Sequence, residues 1–293
     1  MMHPSRVLLA LSFAGLVACG GSSGRGSFED TPEPTKEPEP TPTPGDFNKD
    51  PVKPPVTPSG EVNEVFGHSA DSLFRLDPKT NTVTDVGPFD GCASIIDIAL
   101  DETSTLYGAS YTALYTIDKT TAKCTQIATG SYPNSLSFVP KGTVDPNVEA
   151  LVGYEDADYV RIDTKTGAKT KIGALGGGLR SSGDIVSVKG GKSYLTVKGT
   201  GNNCTTNDCL VEVDPATGKL VKNWGSIEHH NVFGLSFWGG KVYGFDESGG
   251  LFEVTFGSSS ITTTTIAIPT KPANLSFWGA GSSTSAPLVP TTK

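Results

Sequence analysis

A strand-like segment that recurs five times is the strongest constraint on how this chain can fold. The copies follow one another at steps of 41, 45, 51 and 41 residues. They are LFRLD at 73–77, LYTID at 114–118, YVRID at 159–163, LVEVD at 210–214 and LFEVT at 251–255. Apolar and polar side chains alternate within each copy, which is the period of a β-strand. A strand-rich repeat of roughly 40–50 residues is typical of the blades of a β-propeller.

The segment after each of the first four copies predicts a tight turn. These segments are DPKTNT, DKTTAK, DTKTGAK and DPATGK. An Asp side chain accepts a hydrogen bond from the backbone two residues on, and Pro, Asn and Gly favour the turn geometry. We therefore interpret the repeated Asp77, Asp118, Asp163 and Asp214 as turn formers rather than as a catalytic series.

The two ends of the repeat array predict that the propeller closes into a ring. The first copy begins at its second strand, near Val62, while the last copy is followed by an extra first-strand segment at 273–277. Each kind of strand occurs five times only if this segment joins the first blade. A ring also removes exposed sheet edges. We predict an all-β, single five-bladed propeller with four strands per blade at 62–281, and a disordered tail at 282–293.

The N-terminus has the pattern of a targeting segment. Val7–Ala18 is an apolar run of 12 residues, the length of a signal peptide and too short to span a bilayer. The run ends in LVAC, which resembles the lipobox of bacterial lipoproteins. That resemblance implies that residues 1–18 are removed and that Cys19 carries the lipid, including a palmitate-type acyl chain. Gly20 after the cysteine implies, by the same resemblance, the outer membrane of a Gram-negative bacterium. The alternative is an ordinary secretion signal in which Cys19 is incidental.

Residues 19–61 predict a disordered linker. Stretches such as TPEPTKEPEPTPTP are rich in Pro, Thr and Glu and lack apolar residues to bury.

The net charge of −8, with the basic residues scattered, argues against nucleic acid as a partner. The expected partners are the membrane, through the lipid anchor, and a protein or a cell-surface polysaccharide.

The cysteines beyond Cys19 predict disulfide bonds. An even number of them outside the cytosol favours oxidised pairs, and three pairings are open. We favour Cys204 with Cys209, because they share one short loop, and Cys92 with Cys124, because both flank the second blade. Zinc is the alternative, but neither pair has CxxC spacing or a neighbouring histidine.

The DxxTG turns and the LYGxS strand resemble the broad group of bacterial extracytoplasmic propellers that includes quinoprotein, YVTN and lactonase-like members. The resemblance covers residues 62–279 and implies an architecture rather than an activity. Some members of the group bind partners, some are scaffolds and a few are enzymes such as lactonases. The repeated tryptophan motif of quinone-cofactor propellers is not visible in the sequence.

Two further polar clusters contain residue types that can bind metal ions. EHHN at 228–231 is the only histidine cluster, and we interpret it as a solvated loop before a strand. YEDADY at 154–159 contains Glu155, Asp156 and Asp158, which suit either a weak calcium site or an ordinary acidic turn.

The innermost strands of the predicted ring supply the candidate site. Their alignment places Asp97, Ser135, Asp184, Gly234 and Asn274 at equivalent positions around the channel. In one interpretation small residues let the blades converge. In the other, Asp97, Asp184 and Asn274 meet at the channel mouth and hold a cation, for which calcium is the candidate, or a small polar ligand.

Two hypotheses of function follow from these observations. The favoured one is a membrane-tethered binding or scaffold module that requires no cofactor and no catalytic residue. The alternative is a metal-assisted hydrolase or lactonase-like enzyme with its site at the propeller channel.

Overall fold

Twenty strands in five antiparallel sheets make up the described part of the chain in the computed structural model. The structure describes residues 64–200, 204–269, 271–273 and 275–290. The predicted signal peptide, the predicted lipidation site Cys19 and the whole of the predicted linker at 19–61 therefore lie outside the described residues. No described segment is a helix that could cross a membrane.

Each sheet is one blade, in which the strands follow one another from the axis outward. Blade 1 contains β20 (Gly279–Ser282), β1 (Val65–His68), β2 (Ser72–Asp77) and β3 (Thr82–Pro88). Blade 2 contains β4 (Ile95–Leu100), β5 (Leu106–Ser110), β6 (Ala113–Ile117) and β7 (Cys124–Thr129). Blade 3 contains β8 (Leu136–Val139), β9 (Ala150–Glu155), β10 (Asp158–Ile162) and β11 (Lys169–Ala174). Blade 4 contains β12 (Leu179–Ser187), β13 (Ser193–Gly199), β14 (Cys209–Val213) and β15 (Leu220–Ser226). Blade 5 contains β16 (Val232–Trp238), β17 (Lys241–Asp246), β18 (Leu251–Phe256) and β19 (Ile261–Ile266).

The predicted five-bladed architecture is confirmed, and the repeated segment is the third strand of every blade. The core is divided into five apolar clusters, each of which lies between two neighbouring blades. A blade buries its apolar faces only against its neighbours. The ring is therefore stable as a whole, because apolar surface leaves water only where blades meet.

The ring closes with a different strand from the one that the sequence predicted. The prediction of 273–277 is wrong: β20 pairs with β1, with Gly67 opposite Ala280. The reason is the size of the side chains. GAGS fits the crowded axis, whereas Phe277 fills the space between blades 5 and 1, where its ring lies 5.1 Å from that of Phe245.

The C-terminal residues that the structure describes are packed against the domain. The predicted disordered tail at 282–293 is therefore wrong for Ser282–Ala286, in which Ser283 and Thr284 are buried. The Ser283 hydroxyl donates to the Asp101 carbonyl at 2.8 Å, and the Lys189 N–H donates to the Thr284 carbonyl at 2.8 Å. We call residues 283–290 the C-terminal cover, because they lie across the turns that follow the inner strands of blades 2, 4 and 5.

Both favoured disulfides are confirmed. Cys92 bonds to Cys124 with a Cα–Cα distance of 5.7 Å, which fastens the loop before blade 2 to the outermost strand of that blade. Cys204 bonds to Cys209 with a Cα–Cα distance of 5.4 Å and closes the loop between β13 and β14.

The two faces of the propeller differ in what they carry. We call the face on which the innermost strands begin the mouth face, and the opposite face, which bears the C-terminal cover, the tail face. Glu64, the first described residue, lies on the tail face, where its carboxylate contacts Lys119 and the Ser104 hydroxyl. Both ends of the described chain are therefore on the tail face.

Candidate functional site

The innermost strands are irregular where they reach the mouth face. Residues of β4 and β16 bulge out of the pairing at Ile96 and Phe233, and β12 has a larger irregularity between Ser181 and Ile185. A β-bulge turns a side chain away from the regular pleat, and such bulges are common beside functional sites. In blade 3 the Ser135 hydroxyl takes part in the pairing and accepts from the Tyr154 N–H at 2.9 Å.

Asp97 lies directly below this irregular level, on the innermost strand of blade 2. Its side chain is completely buried. One carboxyl oxygen accepts from the N–H of Ile98 at 2.8 Å, and the other accepts from the N–H of Leu136 at 2.6 Å. Since Leu136 belongs to blade 3, the carboxyl group joins two blades.

Asp184 occupies the equivalent position on blade 4 and is also completely buried. One oxygen accepts from the Ile185 N–H at 2.6 Å, and the other accepts from the Leu235 N–H in blade 5 at 2.7 Å. A further backbone hydrogen bond comes from Ala280 in blade 1. Asp184 therefore joins the three remaining blades.

The two carboxyl groups also bond to each other across the axis, and we call this pair the carboxyl clasp. Burial raises the pKa of both groups well above the usual range, and the charge of Asp184 raises the pKa of Asp97 further. Two buried carboxylates this close do not both ionise, so the pair holds a proton between them. The clasp thus links the innermost strands of all five blades.

The sequence analysis placed Asp97 and Asp184 correctly on the inner strands, and the structure brings them together. Asn274, the third predicted member, lies outside the described residues. The register of β20 puts Gly279 at the fifth position instead, one residue before Ala280. A Cβ atom on Gly279 would lie 2.4 Å from a carboxyl oxygen of Asp97, so this position has no room for a side chain.

His68 is a member of this cluster that the sequence analysis did not identify. It is fully buried, and its Nδ1 donates to the Ser69 carbonyl at 2.7 Å, which leaves Nε2 as an acceptor without a partner. The Cβ position of Gly279 is 2.4 Å from both His68 Nε2 and Asp97 Oδ1, so the imidazole faces the clasp. Burial lowers the pKa of His68 to about 4. No signal in the sequence distinguishes this histidine, because its neighbour Gly279 is distant in the chain.

The other polar groups are held by local partners. Each of the four turn aspartates accepts from the N–H two residues on, at 2.8–2.9 Å, as predicted for Asp77, Asp118, Asp163 and Asp214. In the turn after β6, the Thr120 hydroxyl and backbone N–H groups lower the pKa of Asp118 to about 2.

The acidic segment at 154–159 sends its carboxylates to different basic groups. Glu155 pairs with Lys169, and Asp158 pairs with Lys171 at 2.6 Å. Asp156 lies 3.9 Å from Arg180. Among the described residues, no three His, Cys, Asp or Glu side chains are placed to hold a metal ion together. The predicted site for a cation or a small polar ligand at Asp97, Asp184 and Asn274 stays a prediction, and a rise in melting temperature with millimolar calcium would test its calcium form.

The histidine cluster lies in the loop between β15 and β16, on the mouth face. His229 stacks on the ring of Phe252 with centroids 3.9 Å apart, and its Nδ1 is 3.1 Å from a carboxylate oxygen of Asp246. His230 is more exposed and bonds to the Thr206 carbonyl. The two imidazoles thus have separate partners and do not form one site.

The mouth face has a cavity of about 270 Å³ with exposed aromatic side chains. The side chain of Tyr111 is 65% exposed and that of Trp278 is 38% exposed. We call this cavity the aromatic mouth; its lining residues are Ile96, Tyr111, Asn134, Phe233, Glu247 and Trp278. They come from blades 1, 2, 3 and 5, so only the closed ring assembles the cavity.

These features define a five-bladed β-propeller that is closed by its own C-terminal strand and stapled by two disulfides. No protein-family model matches the sequence, and no curated protein matches it. Among solved structures, it is similar to a nidogen–laminin complex, with 13% identity over 74% of this chain and 97% of the other and a TM-score of 0.47. It is also similar to a gluconolactonase from Xanthomonas campestris, with 13% identity over 71% of this chain and 72% of the other and a TM-score of 0.44. Likeness at this level says nothing about the function of this chain.

Proposed function

We propose that this protein is a lipid-tethered extracytoplasmic binding module that holds its ligand at the aromatic mouth. The observation that carries the proposal is the difference between the two faces. The C-terminal cover lies across the tail face, whereas the mouth face presents Tyr111 and Trp278 to solvent. Exposed aromatic side chains around a cavity are typical of binding sites, because they supply a large contact area with little loss of rotamer freedom.

The sequence supports a lipid tether for this module. The lipobox LVAC supports attachment of Cys19 to the outer membrane, and the Pro-rich linker supports a spacer between the lipid and the domain. Glu64, where the described domain begins, lies on the tail face, opposite the aromatic mouth. The ligand that we propose for the mouth is either a protein or a cell-surface polysaccharide.

The alternative hydrolase would use Asp97 and Asp184 as its catalytic carboxylates. Both are fully buried, and their oxygens are bonded to backbone N–H groups and to each other. This geometry gives them a structural role across the axis and leaves neither carboxylate facing a substrate. The binding module is therefore the function that the site supports better.

Site-specific crosslinking in intact cells tests the proposal. A photoreactive phenylalanine analogue replaces Tyr111 in the full-length lipoprotein, and the same analogue replaces Val221 in a control. Val221 is 58% exposed on β15, the outermost strand of blade 4, and so has a similar exposure away from the mouth. We expect a discrete adduct from position 111 only. Equal labelling from both positions, or none from position 111, would contradict a binding role for the mouth.

A further inference from the structure

The chemistry of the aromatic mouth narrows the class of ligand that it can take. Its apolar part consists of Ile96, Phe233, Tyr111 and Trp278. Trp278 differs from the other tryptophans, Trp224 and Trp238, which are only 9% and 7% exposed. Covering an exposed indole with a ligand is favourable, because it removes apolar surface from water.

The polar part of the lining favours a ligand without negative charge. It consists of the amide of Asn134 and the carboxylate of Glu247, and none of the described lining residues is Lys or Arg. The position of Glu247 is fixed by the side chain of Asn231, which donates to one of its oxygens at 2.8 Å, and by its own N–H, which donates to the Asn231 carbonyl. An anionic ligand would be repelled by this carboxylate and by the chain's net charge of −8.

The aromatic rings stand apart from one another around the opening. Ring pairs elsewhere in the described residues have centroid distances of 3.9–6.3 Å, but the rings of Tyr111, Phe233 and Trp278 form no such pair. Rings that do not stack on one another suit a ligand that offers a flat apolar surface at several points along its length.

We propose that the aromatic mouth binds a neutral oligosaccharide segment of a surface polysaccharide. This inference rests on the proposed binding function and adds the ligand class. A pyranose ring has an apolar face of C–H groups that packs on an aromatic ring, and a rim of hydroxyl groups. Asn134 both donates to and accepts from such hydroxyls, and Glu247 accepts from them. Successive sugar units then cover successive rings of the mouth.

The test is a binding titration of the full-length mature protein with a panel of neutral gluco-, manno- and galacto-oligosaccharides. A uronate oligosaccharide of equal length is the charged control. Calorimetry gives the affinity, and tryptophan fluorescence reports whether the environment of Trp278 changes, since it is the most exposed indole. We expect at least one neutral series to bind, with affinity that rises with chain length and a shift in the emission maximum. The uronate should bind at least tenfold more weakly.

Two variants locate the binding. Tyr111→Ala retains the indole of Trp278 as a reporter and should lower the affinity for the neutral oligosaccharide at least tenfold. Val221→Ala should leave that affinity unchanged. Equal weakening by both variants, equal affinity for the uronate, or no binding of any neutral oligosaccharide at millimolar concentration would overturn the inference. If position 111 still forms its adduct in cells while every oligosaccharide fails, the binding function stands and the carbohydrate assignment is wrong.

Discussion

Asp97 and Asp184 join neighbouring blades at the axis of the ring. Each carboxyl group is buried and accepts N–H groups from more than one blade. Isolated buried charges are strongly unfavourable, and the pair avoids this by retaining a proton between the two groups. The clasp therefore satisfies backbone donors at the point where regular pairing between strands is interrupted.

The clasp makes stability depend on pH in a defined direction. Both carboxyl groups have a raised pKa in the folded protein, so the folded state binds the shared proton more tightly than the unfolded state does. This contribution is fully present below the ordinary Asp pKa of about 3.9, and it is lost as the pH rises through the raised pKa.

We expect Asp97→Asn to lower the free energy of unfolding by about 1–3 kcal/mol at pH 5, because the amide N–H₂ would face a backbone N–H donor. The difference between parent and variant should shrink as the pH rises, because two ionised carboxylates then repel each other in the parent, whereas the variant has only the carboxylate of Asp184. Urea denaturation from pH 5 to pH 9 measures this difference. Asp156→Asn is the control, since Asp156 is exposed. A difference that stays constant with pH would show that the carboxyl groups share no proton.

His68 should make the stability of the fold depend on pH in the opposite direction to the carboxyl clasp. Its pKa is lowered to about 4 by burial, so the unfolded state takes up a proton between pH 6.5 and 4 and the folded state does not. Stability from this group is complete above pH 6.5 and falls as the pH drops. Between pH 7.5 and 4.5 the parent should lose on the order of 3 kcal/mol of its free energy of unfolding through this group. His68→Asn, which keeps a donor for the Ser69 carbonyl, should abolish that loss. Chemical denaturation at the two pH values tests this, with His230→Asn as an exposed control. An unchanged loss in His68→Asn would mean that this imidazole does not titrate in that range.

At the scale of the element, the closing strand and the C-terminal cover make different contributions. β20 supplies the inner edge of blade 1, and Phe277 just before it packs between blades 5 and 1. The cover follows β20 in the chain and adds hydrogen bonds and some buried surface on the tail face, but it takes no part in the closure of the ring.

Two truncations separate these contributions. A chain that ends at Pro269 lacks β20 and Phe277, and we expect it to lose cooperative unfolding of the whole domain, because blade 1 is left with an unpaired inner edge. A chain that ends at Ser282 keeps the ring and should melt in one transition at a lower temperature than the parent. Circular dichroism during heating measures both. If the shorter chain melted like the parent, the ring closure would be refuted.

The disulfides should contribute according to the length of chain that they close. Cys92–Cys124 spans 32 residues and Cys204–Cys209 spans 5. The chain-entropy relation gives about 4 kcal/mol for the first and about 2 kcal/mol for the second. We therefore expect Cys92→Ser with Cys124→Ser to lower the free energy of unfolding more than Cys204→Ser with Cys209→Ser. Denaturant midpoints under non-reducing conditions compare the two, and the reverse order would contradict the entropic explanation.

At the scale of the whole molecule, the blades form five interfaces of similar kind, and the last is made by the two ends of the chain. That arrangement places Glu64 and the C-terminal cover on one face and the aromatic mouth on the other. The first described residue and the proposed binding surface are therefore on opposite faces of the propeller.

The anchor itself is open to a direct test. Cys19→Ser removes the thiol that the lipobox would modify, and we expect the variant to leave the membrane fraction or to remain unprocessed. A single acyl chain binds membranes only marginally, with an association constant of about 10⁴ M⁻¹, whereas several chains together bind firmly. Loss of a multiply acylated anchor should therefore cause a large fall in the membrane-bound fraction. Membrane fractionation of parent and variant measures it. Equal retention of the two proteins would rule out lipidation at Cys19.

The sequence alone determined the architecture, because its signals are local and repeat. Alternation within the third strands, the Asp-led turns and the spacing of the copies specified the strands, the number of blades and the need for ring closure. Nearness in the sequence was likewise enough to pair the cysteines correctly. The inner strands also identified Asp97 and Asp184 as partners, since equivalent positions in a ring face a common axis.

Only the tertiary structure decided which groups meet. Two strand-like segments follow each other near the C-terminus, and side-chain size at the crowded axis selected Gly279–Ser282 over 273–277. The same choice brought His68 beside the carboxyl clasp and Trp278 into the aromatic mouth. His68 and Gly279 are 211 positions apart in the chain, and Tyr111 and Trp278 are 167 positions apart. No local pattern encodes these contacts, because they arise where the C-terminal strand packs into the first blade.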